Sequence, residues 1–134
     1  ARDTTLQGQV DGLASTAADY SIGGRLPDGS IVAYVDLSGK SGLAAWPVDE
    51  AGFYNWFDAI KQAESHGPGW KLPSKTELAL LFDARDVVGG FSGSNYWSST
   101  EFGSGYAWLH GFGNDGQGGT SKNGTHSVRA VRAF

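Results

Sequence analysis

The sequence contains no cysteine, which excludes disulfides, thiolate metal sites, thiol nucleophiles and cysteine redox chemistry together. It leaves the compartment open, because a chain without cysteine suits either redox poise. Charge is scarce as well. Charged residues are 18% of the chain, and 10 Lys and Arg stand against 14 Asp and Glu, for a net charge of −4. Phosphate recognition needs clustered cations, so binding to nucleic acid or to an anionic membrane surface is not expected. No apolar run approaches the roughly 18 residues of a spanning helix and no stretch has the form of a signal peptide, so membrane insertion is not expected either.

What is abundant is glycine, 21 of 134 residues. That is about twice the usual share, without the every-third-residue period of collagen. Hydrophobic residues make up 40%, enough for a core, and the length suits one domain.

Residues 1–18 differ from the rest. Leu6, Val10, Leu13 and Ala17 form an a/d seam of under two heptads, while Gly8 and Gly12 each weaken a helix by about 1 kcal/mol relative to Ala. The segment reads either as a lead-in or as the end of an oligomeric stalk feeding a globular head over 19–134. Within the head, Ile31, Ala33, Val35 and Leu37 alternate with Val32, Tyr34 and Asp36. Apolar groups on both phases predict a central strand, returned as a hairpin through Leu43 to Val48. Phe53, Trp56, Phe57, Ile60 and Ala63 recur at helical spacing and predict an amphipathic helix over about 50–65. His66-Gly67-Pro68-Gly69 stops it.

Trp70 to Pro73 is a short extended piece. Ser74-Lys75-Thr76-Glu77 is a capping box that opens a second helix through Leu78, Leu81 and Phe82 to about Ala84. Beyond Val88 the texture changes: residues 89–127 hold 11 of the 21 glycines, with Ser, Asn and Thr between isolated aromatics. Residues 127–134 alternate as a closing strand. The pattern predicts an α+β domain, two helices packed on small antiparallel sheets, with a long glycine-rich C-terminal half of loops and short strands.

Catalytic constellations are missing. His66, His110 and His126 contain no i,i+4 pair, and His66 sits in the helix-stop turn. His110 and His126 could meet Asp115 in space, but a loop histidine is more often solvated than ligating. Gly103-Ser104-Gly105 lacks the strand–turn–helix context of a nucleophile elbow, and no glycine cluster continues into a phosphate-binding loop. Asp83 and Asp86, near a helix end, read as solvated or capping rather than as an acid/base pair. Neither a catalytic residue, a metal nor a cofactor is expected. What remains is a surface between Phe102 and Ser127, small polar residues with Tyr, Leu and His laid over Trp97, Trp108 and Phe112. Gly, Ser, Asn and Tyr are the residues of adaptable binding loops; the same composition also suits an irregular region with no ligand.

Five blocks carry a resemblance: Lys71 to Leu78 (KLPSKTEL), Asp86 to Phe91 (DVVGGF), Tyr96 to Glu101 (YWSSTE), Ala107-Trp108, and Val128 to Phe134 (VRAVRAF). In these the chain, from about Ile22 to Phe134, resembles the C-terminal domain of the Legionella collagen-like adhesin family with its bacterial and phage relatives. That family is similar to the variable proteins of diversity-generating retroelements, with the C-type-lectin fold that formylglycine-generating enzymes share. The resemblance implies a fixed frame at 96–101, Ala107, Trp108, Phe112, Gln117, Lys122 and 128–134, with variable positions between. Every one of those intervening residues is reachable from an AAC codon whose adenines are randomised.

The resemblance therefore implies a C-type-lectin-like ligand-binding domain with a display segment over about 97–134. Its variable face would hold Phe102, Ser104, Tyr106, Leu109, His110, Asn114, Asp115, Thr120, Ser121, Asn123, Thr125, His126 and Ser127. Trp97, Glu101, Trp108, Phe112, Arg129 and Arg132 would be scaffold, the charges pairing with backbone or with each other. The implied partner is a protein or glycan on another cell, and the implied location extracellular, on a bacterial surface or a phage virion, as a homotrimer. Formylglycine chemistry does not carry over without cysteine. Lys122, Arg129 and Arg132 against Glu101 and Asp115 leave too little positive charge for a polyanion, and no carboxylate–amide run for calcium is present. The alternative is a structural or assembly domain of a surface or phage fibre protein with no ligand of its own; a hydrolase built from scattered His, Asp and Ser is a third reading.

Overall fold

A computed structural model describes residues 19–134; the Leu6–Ala17 seam, with its lead-in or stalk readings, lies outside the described residues. In chain order these residues form β1 (Ile31–Val35), β2 (Gly42–Ala45), α1 (Trp56–Glu64), α2 (Lys75–Asp83), α3 (Arg85–Val88), β3 (Asn95–Gly103), β4 (Tyr106–Gly111), β5 (Gly116–Ser121) and β6 (Val131–Ala133). The domain is α+β, with two antiparallel three-stranded sheets ordered β1-β2-β6 and β3-β4-β5. Among the described residues no helix is long and apolar enough to cross a membrane.

The strand expected at the centre of a sheet lies at its edge. Strand β2 is central, pairing Ile31 with Ala45 on one side and Val131 with Ala45 on the other. Both phases of β1 are apolar because both are covered. Ile31 and Ala33 pack with Leu78, Leu81, Val88, Tyr96 and Phe112, while Val32 packs behind the sheet on Leu26 and Ala44. Even the open edge is bonded, since Val32 donates its N–H to the Gly24 carbonyl and accepts from Gly23 N–H, both at 2.8 Å. A bulge falls between Val32 and Tyr34. There the Tyr34 carbonyl presses so close to Gly42 that a Cβ would overlap it, so only glycine fits.

Helix α1 is shorter than its periodicity suggests. Asn55 caps it by accepting from Asp58 N–H at 2.9 Å, and the buried stripe is Trp56, Ala59 and Ala63. Phe53 precedes the helix and is 64% exposed, and Phe57 is 54% exposed on its outer side. In α2 the capping box forms as read: Glu77 N–H donates to Ser74 Oγ at 3.1 Å, and Ser74 N–H to Glu77 Oε1 at 2.9 Å. Its buried residues are Leu78 and Leu81. The short α3 adds a turn that the sequence did not announce.

The closing strand is shorter than its alternation suggests, because only Val131–Ala133 joins a sheet. Residues 128–130 cross between elements, where Glu50 N–H donates to Val128 O and Trp46 N–H to Ala130 O, both at 2.9 Å. Val128 and Ala130 complete a second core with Trp56, Trp70, Leu72, Trp97 and Ala107.

Arg129 is fully buried in this crossing segment. Its Nε and Nη2 reach Asp49 Oδ1 at 2.9 and 2.8 Å, and its Nη1 donates to the carbonyls of Trp46 and Gly89 at 3.1 Å each. The guanidinium also lies 3.9 Å from the centre of the Phe91 ring. Burial pulls its pKa below the ordinary arginine value, and Asp49 pulls it back. Tyr96 donates its hydroxyl to the other Asp49 oxygen at 2.5 Å. Burial first, and that hydrogen bond second, push the phenol up to about 12. The two scaffold arginines thus pair with acids elsewhere and not with Glu101, Arg129 with Asp49 as well as the expected backbone, and Arg132 with Asp28 at 2.6 Å. Asp28 is held below the usual carboxylate range by the Ser30 hydroxyl and N–H, and then by Arg132.

Candidate ligand-binding face

The display segment is mainly the sheet β3-β4-β5, whose central strand pairs throughout with β5, from Tyr106↔Ser121 to Gly111↔Gly116. Its pairing with β3 is broken between Trp97 and Glu101. In that gap Ser99 donates to the Pro73 carbonyl at 2.7 Å, and Ser98 Oγ reaches across to the Trp108 carbonyl at 2.7 Å. Two tryptophans hold the sheet to the rest of the domain. Trp97 donates its indole N–H to the Tyr54 carbonyl at 2.6 Å, and Trp56 donates to the Ser98 carbonyl at 2.9 Å. The frame residues Trp97 and Phe112 are buried, Trp108 is half-buried under Lys75, and Gln117 is exposed.

The candidate positions do not share one face. Strand side chains alternate, so Tyr106, Trp108 and His110 point one way, Ala107 and Leu109 the other. Phe102, Ser104, Tyr106, Ser121 and Asn123 are exposed at the β3–β4 turn and just after β5, where Lys122 N–H donates to the Gly105 carbonyl at 3.0 Å. Asn114 and Asp115 are exposed at the β4–β5 turn, about 17 Å away by the rise of five strand residues. Leu109 and Thr120 are half-buried between these ends. Thr125 and His126, exposed and half-buried, lie beyond the sheet next to Tyr54 and Asn95.

Two of the positions are not displayed at all. His110 is only 3% exposed, because its phase of β4 faces α2. Its ring stacks on Phe82 with 4.8 Å between centroids and meets the Phe112 ring edge-on. Its Nε2 lies 2.8 Å from Asp115 Oδ1, and its Nδ1 lies 3.4 Å from the Gln117 amide nitrogen. With the Asp115 carboxylate accepting, Nε2 donates and Nδ1 faces the Gln117 amide. Ser127 is buried because its backbone is bonded on both sides, donating to Asn95 O and accepting from Trp97 N–H at 3.0 Å each.

Glu101 and Lys122 turn out to belong together. Lys122 is buried, with Nζ 2.6 Å from Glu101 Oε2, 2.9 Å from the Ser104 carbonyl and 4.3 Å from the Trp56 ring. Its ammonium thereby ties the β3–β4 turn to α1. The exposed Phe57 ring lies 6.0 Å from Nζ, and the exposed rings of Phe102 and Tyr106 flank the turn that Lys122 holds. Phe102 lies edge-on to Trp108 at 4.8 Å and covers Gly119, where a Cβ would overlap its ring. Sequence reasoning missed Phe57, since its spacing from Trp56 and Ile60 reads as part of a buried stripe.

The three histidines stay apart. His66 stacks on Trp46 at 3.7 Å and pairs with Glu50 at 2.6 Å, and His126 sits edge-on to Trp97. Among the described residues no three His, Cys, Asp or Glu side chains gather closely enough to hold a metal ion. No family model and no curated protein matches the chain.

Proposed function

We propose that this chain is a non-catalytic recognition domain of the C-type-lectin-like type, an adhesin or receptor-binding head at a bacterial surface or on a phage virion. It binds a protein or glycan on another cell through side chains varied on a rigid scaffold, diversified by a retroelement. The observation that carries the reading is the pair of exposed rings, Phe102 and Tyr106, flanking a β3–β4 turn that the buried Lys122 holds through the Ser104 carbonyl. Half-exposed aromatic rings gathered on a hydrogen-bonded turn are costly to leave in water and are characteristic of contact surfaces. Beneath them the buried frame of Trp97, Ala107 and Phe112 is independent of what the turn displays. Assembly as a homotrimer would present several copies of this surface.

A glycan array and a whole-cell pull-down test the proposal, comparing the chain with a variant carrying Asn at 102, 104, 106 and 121. Binding by the parent and not by a folded variant supports recognition at this end of the sheet. Equal binding by both moves the site elsewhere, and silence from both favours a structural or assembly domain.

A further inference from the structure

A second site lies at the other end of the sheet. A groove of about 290 Å³ is lined by Phe53, Gly93, Ser94, Asn95, Thr125 and His126, at the small end of the range for small-molecule sites. It is built where three backbone segments meet. Tyr54 and His126 exchange both N–H···O bonds at 2.9 and 3.0 Å, and Ser127 donates to the Asn95 carbonyl at 3.0 Å. The loop carrying Phe53 is pinned by Tyr54, whose hydroxyl donates to the Ala51 carbonyl at 2.6 Å. The Phe53 ring, 64% exposed, is the apolar side of the groove.

The polar groups beside it are unspent. Among the described residues, the side chains of Ser94, Asn95, Thr125 and His126 make no hydrogen bond. Together they offer an amide, two hydroxyls and an imidazole, all donor-and-acceptor groups. No charged side chain lines the groove. Burial lowers the His126 pKa, so its ring is neutral near pH 7 and presents one donor and one acceptor. An apolar platform flanked by neutral groups of both kinds matches a ligand with an apolar face and a rim of hydroxyls. An anion would find no counter-charge, and a purely apolar ligand would strand the polar groups.

We infer that the groove formed by Phe53, Asn95, Thr125 and His126 binds a neutral sugar ring, stacked on Phe53 and hydrogen-bonded by the other three. The inference rests on reading the domain as a recognition module, and it gives glycan binding a location distinct from the Phe102–Tyr106 turn. Half of the site, Phe53 and Asn95, lies outside the display segment.

The test is titration of the full chain with neutral methyl pyranosides (glucoside, galactoside, mannoside and N-acetylglucosaminide), followed by amide and ring resonances up to about 50 mM, above the millimolar range of a weak site. The expected result is a saturable shift with at least one sugar, confined to Phe53, Asn95, Thr125 and His126. Phe53→Ala should then weaken it about fivefold, the scale of one aromatic contact, and Leu37→Ala, at a fully exposed side chain outside the groove, should leave it unchanged. Both variants are at exposed side chains, and unchanged amide spectra elsewhere certify their folds. No shift at these residues with any sugar, or a shift that Phe53→Ala leaves intact, overturns the inference. The turn variant of the cell-binding experiment reports separately: its loss of binding with a silent groove retains the recognition reading and removes this site.

Discussion

Replacing Arg129 by Met should destabilise the domain more than any exposed change in the display segment. The guanidinium is fully buried and satisfies four things at once: the Asp49 carboxylate, the carbonyls of Trp46 and Gly89, and the face of Phe91. Methionine fills much of the volume but leaves a half-buried carboxylate without its cation and two carbonyls without donors. Breaking a buried pair from one side costs about 3–5 kcal/mol, a large share of the roughly 5–15 kcal/mol that holds a domain together. At about 4 °C per kcal/mol for a domain of this size, Tm should fall by about 12–20 °C, read by far-ultraviolet circular dichroism. Arg129→Lys should fall between, since it keeps the charge and loses the fork that reaches both carbonyls. The Arg129→Met, Asp49→Leu double variant should recover part of the loss, because no charge is then left buried alone. A drop below about 4 °C in the single variant, or a double variant worse than the sum of its singles, would refute the reasoning.

The capping box should contribute about 1 kcal/mol to stability; Ser74→Ala should lower the urea midpoint accordingly, and an unchanged midpoint would show that α2 is held by packing alone. Within the display segment, Ser104→Asn, Tyr106→Asn and Thr125→Asn should each change stability by no more than about 0.5 kcal/mol, whereas His110→Asn should cost about 2 kcal/mol through the lost ring packing on Phe82 and Phe112. Equal effects on thermal unfolding at both kinds of position would contradict the burial pattern. The Tyr96 phenol has its folded value above the unfolded one near 10, so its contribution is intact below pH 10 and is lost as pH rises from 10 towards 12. Phenolate absorbance should accordingly show one of the five tyrosines ionising only as the fold is lost.

Local signals were legible and distant partnerships were not. The Ser74–Glu77 box and the His66–Gly69 stop act within a few residues, and both structures formed where the sequence put them. Asp49 and Asp28 stand 80 and 104 residues from the arginines they hold, and nothing in the local pattern around Arg129 or Arg132 names them. Apolar residues on both phases of β1 correctly reported cover on both faces, but cover at an edge by Leu26 looks the same as cover at the centre. Phe53 and Phe57 show the limit of helical spacing, since an exposed ring beside a buried stripe keeps the same period as a buried one. At the candidate site, the between-frame positions came from a resemblance along the chain. That ordering ignores what lies over each stretch of strand, so it grouped His110, covered by Phe82 of α2, with Tyr106 of the same phase at the exposed end.

Strand β6 and the crossing residues before it follow Ser127, the last of the between-frame positions, yet they supply the third strand of the first sheet and a buried cation paired with Asp49. Folding therefore cannot finish until everything between Phe102 and Ser127 has been synthesised in frame. A chain that stops or shifts frame within that stretch lacks Arg129 and β6, leaves β2 with a bare edge, and is a substrate for proteolysis rather than a folded product. The order of elements thus makes the fold a check on the stretch before it: whatever residues the turns carry, a chain that lacks 128–133 lacks one of the three strands of its first sheet.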